Sequence, residues 1–509
     1  MQFSSILFER FERPVELSDA LDMYRDLNLD QMIDEIVTFK KEFNIKRFFY
    51  MPLNDEKSII YRQEVLRDLQ NDDFYHQVDE FAHKMLEIKN QQKRIDVLDY
   101  KGYKNGLFLQ MVLDYCVALS TFAKALKSAN LRSRGFLLFY DYLQAYLNCD
   151  EYKLLYSDAQ KLKNELASVT YMIGIDGLTF KVKKYNNEID YVPEIERVFH
   201  KFEQDEVSVQ DCKFDKNRGM NHVNAKILEF VSKLYPLIFS NLENFTQKYK
   251  GFVENNFLLF ADEVEFYISY IVYISKINSP NLLFCYPRMS TQSKNIEVLD
   301  GFDISLAYSF SFDKKPVVTN SYDLKSNERI MVISGANQGG KSTFARAFGQ
   351  MSYLSKLGLL VPARRAKLFL FDNIFTHFEK KEDIRTLHSK LEEDLVRVHD
   401  IFDKASTKSL IILNEIFSST SLQDAIFLSK KIMEKIEKLD LVCIWVTFIE
   451  KINSMSDKTV SMVSDIDNLG IEHRTYKIAR KEPDGLAYTK SIAAKYHLNY
   501  EQILQRLEK

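Results

Sequence analysis

Gly335-Ala336-Asn337-Gln338-Gly339-Gly340-Lys341-Ser342-Thr343 reads GANQGGKST and fits the pattern G-x-x-x-x-G-K-[ST]. The apolar run Ile330 to Ile333 feeds into it and a helix-compatible segment beginning with Thr343 leaves it, so the expected setting is strand, loop, helix. Glycines let backbone N–H groups converge on a phosphate without Cβ interference, and a helix N-terminus adds a favourable dipole. Gly335, Asn337, Gly339, Gly340, Lys341, Ser342 and Thr343 are therefore the expected nucleotide-binding residues. In such a loop the lysine reaches the β- and γ-phosphates of ATP, and the hydroxyl after it ligates Mg²⁺. Those roles fall to Lys341 and Ser342.

A P-loop site also needs a second strand that ends in polar or acidic residues. Ser409 to Glu415, SLIILNE, has four apolar residues followed by Asn414 and Glu415. Glu415 is placed to act as general base. Asn414 stands where an aspartate would hold Mg²⁺ through water; an amide keeps the hydrogen-bonding geometry and loses the charge.

Working outward, the apolar runs Ile330–Ile333, Leu368–Phe371, Leu410–Leu413 and Leu441–Val446 read as buried parallel strands separated by helices, an α/β pattern. The half before about residue 285 differs. The chain has nine prolines and none between Pro52 and Pro193, where apolar residues recur at helical spacing. Within it, Tyr171 to Tyr185 alternates and carries Gly174 and Gly177, which predicts a short hairpin. The predicted fold class is mixed, with an all-α region at 1–285 and a P-loop α/β region at 286–509.

The 509 residues allow two or more domains, and 69 basic against 72 acidic residues give a net charge of −3, which excludes a globally basic nucleic-acid binder. Five scattered cysteines form neither a zinc pattern nor a disulfide frame. Charges at Glu9 and Arg10 interrupt any signal core, and the apolar stretches fall short of the ~20 residues a membrane span needs. A soluble cytoplasmic chain without a membrane partner is expected. Lys84, Lys89, Lys93, Arg94, Lys101 and Lys104 on a predicted helix, with Lys181, Lys183 and Lys184 on the hairpin, are candidate phosphate-neutralising groups.

Taken together, these motifs resemble the MutS family of DNA mismatch-repair ATPases. GANQGGKST is close to the family's GPNMGGKST, and Asn414-Glu415-Ile416 with Ser418 to Ser421 and Asp424 is similar to its DEIGRGTS…D run. Leu360 to Ala363 and Asp372 to Thr376 resemble its VPA and DRIFT segments, and Asp484-Gly485 with Ala493-Ala494 its C-terminal strand-turn-helix. Met51-Pro52-Leu53 with Arg62, Val65 and Leu66 is similar to the opening of the MutS core. The resemblance implies a helical core, lever and clamp followed by an ABC-like ATPase domain (MutS domain V), without the N-terminal mismatch-reading domain. It implies ATP and Mg²⁺ as cofactors, Glu415 and Lys341 as catalytic residues, and Ser342 and Asn414 as metal residues. It further implies DNA as partner and a homodimer in which Ser389 serves the γ-phosphate of the opposite subunit.

Three positions depart from the family pattern. Asn414 replaces the aspartate, Thr447-Phe448 stands where the family has Thr-His, and Val317 falls where an aromatic residue would stack on adenine. Slow hydrolysis coupled to clamp opening and closing on DNA is the leading expectation. The alternative is an interaction protein that holds nucleotide with little or no turnover.

Overall fold

The computed structural model describes residues 3–9, 14–18, 21–176, 179–186, 197, 220–277, 279–335, 338–379, 390–466 and 474–482. Helices dominate up to residue 275: α1 (Asp22–Asp26), α2 (Leu29–Thr38), α3 (Glu56–Asp68), α4 (Asp72–Asp96), α5 (Lys101–Ser128), α6 (Arg134–Asn148) and α7 (Asp150–Ala167). After the hairpin β1 (Tyr171–Asp176) and β2 (Thr179–Lys184) come α8 (His222–Leu234), α9 (Pro236–Lys248) and α10 (Asn255–Ser275). The described residues then alternate: β3 (Arg288–Ser290), β4 (Ile296–Gly301), α11 (Ile304–Asp313), β5 (Asn320–Leu324), β6 (Ile330–Ser334) and α12 (Lys341–Lys356). They continue with β7 (Arg365–Phe369), β8 (Ile374–Phe378), α13 (Lys390–Lys404), β9 (Leu410–Asn414), α14 (Leu422–Leu439), β10 (Val442–Val446), β11 (Thr459–Ile466) and β12 (Arg474–Arg480).

Over the described residues, the chain divides into two compact units. One comprises Gln77–Asn130 and Phe139–Ala261; the other comprises Gln2–His76, Leu131–Leu138 and Asp262–Lys509. This differs from a single division at 285/286, because the first 76 residues group with the α/β part.

In the helical unit, aromatic residues at helical spacing meet across the core. Phe81 stacks on Phe122 with ring centroids 4.1 Å apart, and Phe139 on Phe260 at 3.8 Å. Helix α5 is long and apolar enough to cross a membrane, although no such stretch is expected from the sequence. Its apolar residues Phe108, Leu109, Met111, Val112, Leu119 and Phe122 are buried within the protein, as in a core helix. The expected hairpin is present, antiparallel with Tyr171 opposite Lys184, and Phe180 packs near Phe230 of α8. Phe252, within an F-x-E tripeptide, is packed edge-on to Phe108 and Tyr115, so it belongs to this core.

In the α/β unit, a six-stranded sheet has the order β12-β11-β6-β10-β9-β8. All neighbours are parallel except β11 and β12. The residues of β6, β9 and β10 are buried throughout, as continuous apolar runs require when both faces are covered. One expectation is corrected here. The run at Leu368 belongs to β7, which lies in a second sheet of order β3-β7-β4-β5, parallel to β3 as expected but antiparallel to β4. The parallel strand beside β9 is β8 instead.

The N-terminal segment engages α12 along its length. Tyr353 Oη donates to the carbonyl of Phe49 at 2.6 Å, and Gln350 Nε2 to that of Leu27 at 2.9 Å. Leu53 N–H donates to Lys356 O at 2.8 Å. Arg62, fully buried, donates to Leu7 O at 3.1 Å and to Leu357 O at 3.0 Å, satisfying a carbonyl beyond the end of α12. Burial pushes the Arg62 guanidinium down to about 10.

Candidate functional site

Strand β6 delivers the chain into the loop at 335–340 on the carboxyl side of the parallel strands, the usual crevice of an open α/β sheet. Gly335 has φ 111°, and a Cβ there would lie 3.1 Å from the Ser464 backbone on β11, so a side chain does not fit. Ser464 Oγ donates to Gly339 O at 2.9 Å and supports the loop from that side. Gly340, with φ 90°, precedes the first residue of α12, Lys341.

Lys341 Nζ donates to Gly335 O at 2.9 Å and lies 3.9 Å from Glu415 Oε1. Burial lowers the Lys341 pKa, and the Glu415 carboxylate opposes that shift. Glu415 follows β9 with φ 54°, and its N–H donates to Val446 O at the end of β10 at 2.9 Å. The two strand ends thereby bring the acid over the loop, although β10 separates β9 from β6 in the sheet.

A cleft of about 380 Å³ is lined by Gln338, Gly340, Lys341, Ser342, Thr343, Glu415 and Val317. Of the expected site residues, Gly335 adjoins it through its bond to Lys341, and Gly339 is buried behind the loop. Asn337 and Ser389 lie outside the described residues.

Asn414 is 7% exposed and its Oδ1 has no hydrogen-bond partner among the described residues. An orphaned buried acceptor is costly unless something donates to it. Together with Ser342 Oγ at the start of α12, it offers hard oxygen donors of the kind Mg²⁺ takes directly or through water. The residues fit the metal in chemical type, without a carboxylate's charge.

A family profile described as MutS domain V matches residues 331–493. The DNA mismatch repair protein MutS of Fervidobacterium nodosum is 26% identical over 357 residues, covering 67% of this chain and 40% of that protein. The protein of the same name from Thermotoga neapolitana is 27% identical over 341 residues, 64% of this chain and 41% of the relative. Residues 331–493 carry a MutS domain V, and the likeness to MutS proteins extends over about two thirds of the chain. The chain spans about two fifths of the length of these two curated relatives.

The span matched to MutS domain V begins inside β6 and takes in the loop, Asn414, Glu415 and β12. It also takes in Tyr476, a cleft residue that the sequence reading missed. Tyr476 has φ 54°, and its strand is held by Asn320: the amide donates to Tyr476 O at 3.3 Å and accepts from Ile478 N at 2.8 Å. No motif marks a tyrosine in a short polar strand, and only the β5–β12 approach brings it to the cleft. Away from this site, Lys84 pairs with Glu87 and Lys101 with Glu243; Lys181, Lys183 and Lys184 are exposed on the hairpin, with Lys184 Nζ 4.9 Å from the centroid of the Tyr235 ring.

Proposed function

We propose that this chain binds ATP with Mg²⁺ over the loop at 335–343, hydrolyses it slowly, and couples the cycle to the opening and closing of helical arms on DNA. The observation that carries this reading is the approach of Lys341 and Glu415 to 3.9 Å beside Gly335. A cation for the γ-phosphate and a carboxylate for water are the two groups phosphoryl transfer to water needs from the protein.

In the proposed reaction, protonated Lys341 leaves Gly335 O to neutralise charge on the β- and γ-phosphates. Backbone N–H groups at the start of α12 receive phosphate oxygens. Glu415 accepts a hydrogen bond from the attacking water and orients it. Ser342 Oγ and Asn414 Oδ1 would hold Mg²⁺, which when bound would supply further neutralisation of the phosphates. Val317 and Tyr476, which both line the cleft, border the space for the base.

Two further parts rest on chemistry beyond the cleft. The exposed lysines of the hairpin favour a polyanion, which supports DNA as partner. Leu422 and Phe427 of α14, 59% and 60% exposed, are large apolar groups that a second copy would cover, which supports a homodimer with Ser389 acting in trans. Phe448 is 49% exposed and cannot donate a hydrogen bond to phosphate, and Asn414 carries no charge. These two residues favour the second reading, a nucleotide-bound interaction protein with little turnover.

The test has two arms. ATP turnover of the purified protein is compared with that of Glu415→Ala; hydrolysis above the variant's rate supports the enzyme, and equal rates leave the second reading. Gel shifts on duplex, mismatched and four-way-junction DNA, with and without ATP, test the partner. Failure to bind any of them at low salt removes the clamp.

A further inference from the structure

The turn that carries Glu415 is strained, and its restraint comes from elsewhere in the fold. Glu415 has φ 54° and Phe417 φ 61°, two left-handed residues without the freedom of glycine, on either side of Ile416. Such a pair persists only where the surroundings hold it. The N–H of Phe417 donates to Asp394 Oδ2 at 3.2 Å, a buried bond across 23 positions of sequence. Asp394 lies in α13, 8% exposed; its other oxygen stands 3.1 Å from Nε2 of the buried His377 on β8, without hydrogen-bond geometry between them. One position further on, Ser418 Oγ donates to Glu379 Oε1 at 3.0 Å. Helix α13 is itself anchored: Arg397 donates to Asp26 Oδ2 of α1 and, at 2.9 Å, to Thr376 O of β8.

We propose that Asp394 is the positioning residue of the catalytic turn: by holding the Phe417 N–H it sets where the Glu415 carboxylate points. This rests on the reading of Glu415 as the base for ATP hydrolysis. Asp394 touches no substrate and acts through the backbone. The carboxylate does two jobs in one place, accepting from the turn and facing the imidazole. An asparagine in its place keeps an acceptor for Phe417, and an alanine keeps none.

The experiment measures ATP turnover, ATP affinity with a non-hydrolysable analogue, and melting temperature for wild type, Asp394→Asn, Asp394→Ala and Glu415→Ala. Asp394→Ala is expected to lower kcat by about tenfold to a hundredfold, the loss that follows a misplacement on the order of 1 Å. Its analogue affinity should stay within about twofold of wild type, because the binding loop does not depend on the Phe417 bond. Asp394→Asn should restore most of the lost kcat. Wild-type turnover in Asp394→Ala, equal loss in both substitutions, or a parallel loss of analogue binding each overturns the proposal. Wild-type turnover no faster than Glu415→Ala is a different failure: it removes the catalytic reading, and the positioning role falls with it.

Discussion

Lys341 Nζ donates to the carbonyl oxygen of Gly335 at 2.9 Å, so the lysine closes the loop that it belongs to. Nucleotide binding must exchange that bond for phosphate oxygens, and only the protonated amine does this well. Burial pushes the Lys341 pKa down, with Glu415 opposing. ATP affinity should therefore fall as pH rises, beginning below the range of an ordinary lysine at about 10.4. Fluorescent-nucleotide titrations across alkaline pH would show it. Lys341→Ala should cost about tenfold to a hundredfold in affinity and flatten the profile.

Asn414 presents a buried carbonyl oxygen with no partner among the described residues, where a metal-bound water would donate. Restoring charge there, as Asn414→Asp, should lower the Mg²⁺ concentration for half-maximal ATP binding by about tenfold or more, the range typical of outer ligands. Turnover should rise with it. An unchanged Mg²⁺ titration would place the metal away from β9.

Gly358 sits at φ 72°, and a Cβ there would approach Arg62 Cβ to 2.6 Å. Gly358→Ala should destabilise the α/β unit by about 1–3 kcal/mol, from left-handed strain and displacement of the buried arginine. Gly106 in α5 is the contrast, because a Cβ there would meet nothing within 4 Å. Gly106→Ala should stabilise by up to about 1 kcal/mol. Chemical denaturation of both variants checks the pair.

Asp440 receives Lys458 Nζ at 2.6 Å, Lys294 Nζ at 3.2 Å and Arg329 Nε at 3.2 Å. Burial raises its pKa, but the hydrogen bonds from Lys458 and Lys294 and the nearby charges outweigh this and hold it at about 2. Because the folded value lies below the unfolded one of about 3.9, the stability is present above that pH and is lost as pH falls through 2. Asp440→Asn should therefore melt below wild type at neutral pH, with the gap closing in acid. Melting curves along a pH series test the direction.

The centre of the α/β unit was legible because β6, β9 and β10 are buried on both faces and their apolar runs say so. Helices α3 to α7 were legible from period and the lack of proline. Strand β7 was misplaced, since an apolar run does not specify its neighbour in a sheet. The grouping of Tyr24, Leu53 and Arg62 with α12 was illegible for a related reason: each contact spans about three hundred positions and leaves no local pattern. At the cleft, Lys341, Ser342 and Glu415 carried motif signals. Tyr476 and Asp394 carried none, because one reaches the site through the approach of β12 to Asn320 of β5 and the other through a single bond to backbone.

The grip of the N-terminal segment on α12 also dictates an order of events on the ribosome. Tyr353 meets Phe49 across 304 positions, and Arg62 meets the end of α12 across 295. At about 5–20 residues per second, the partner helix follows some 15–60 s after the segment that must hold it. In that interval Gln77–Asn130 and Phe139–Ala261 are synthesised, while Tyr24 and Phe49, both buried in the finished protein, have no Tyr353 to meet. This segment therefore waits with its apolar groups uncovered for much of synthesis, and chaperones would meet it before the loop at 335–340 exists.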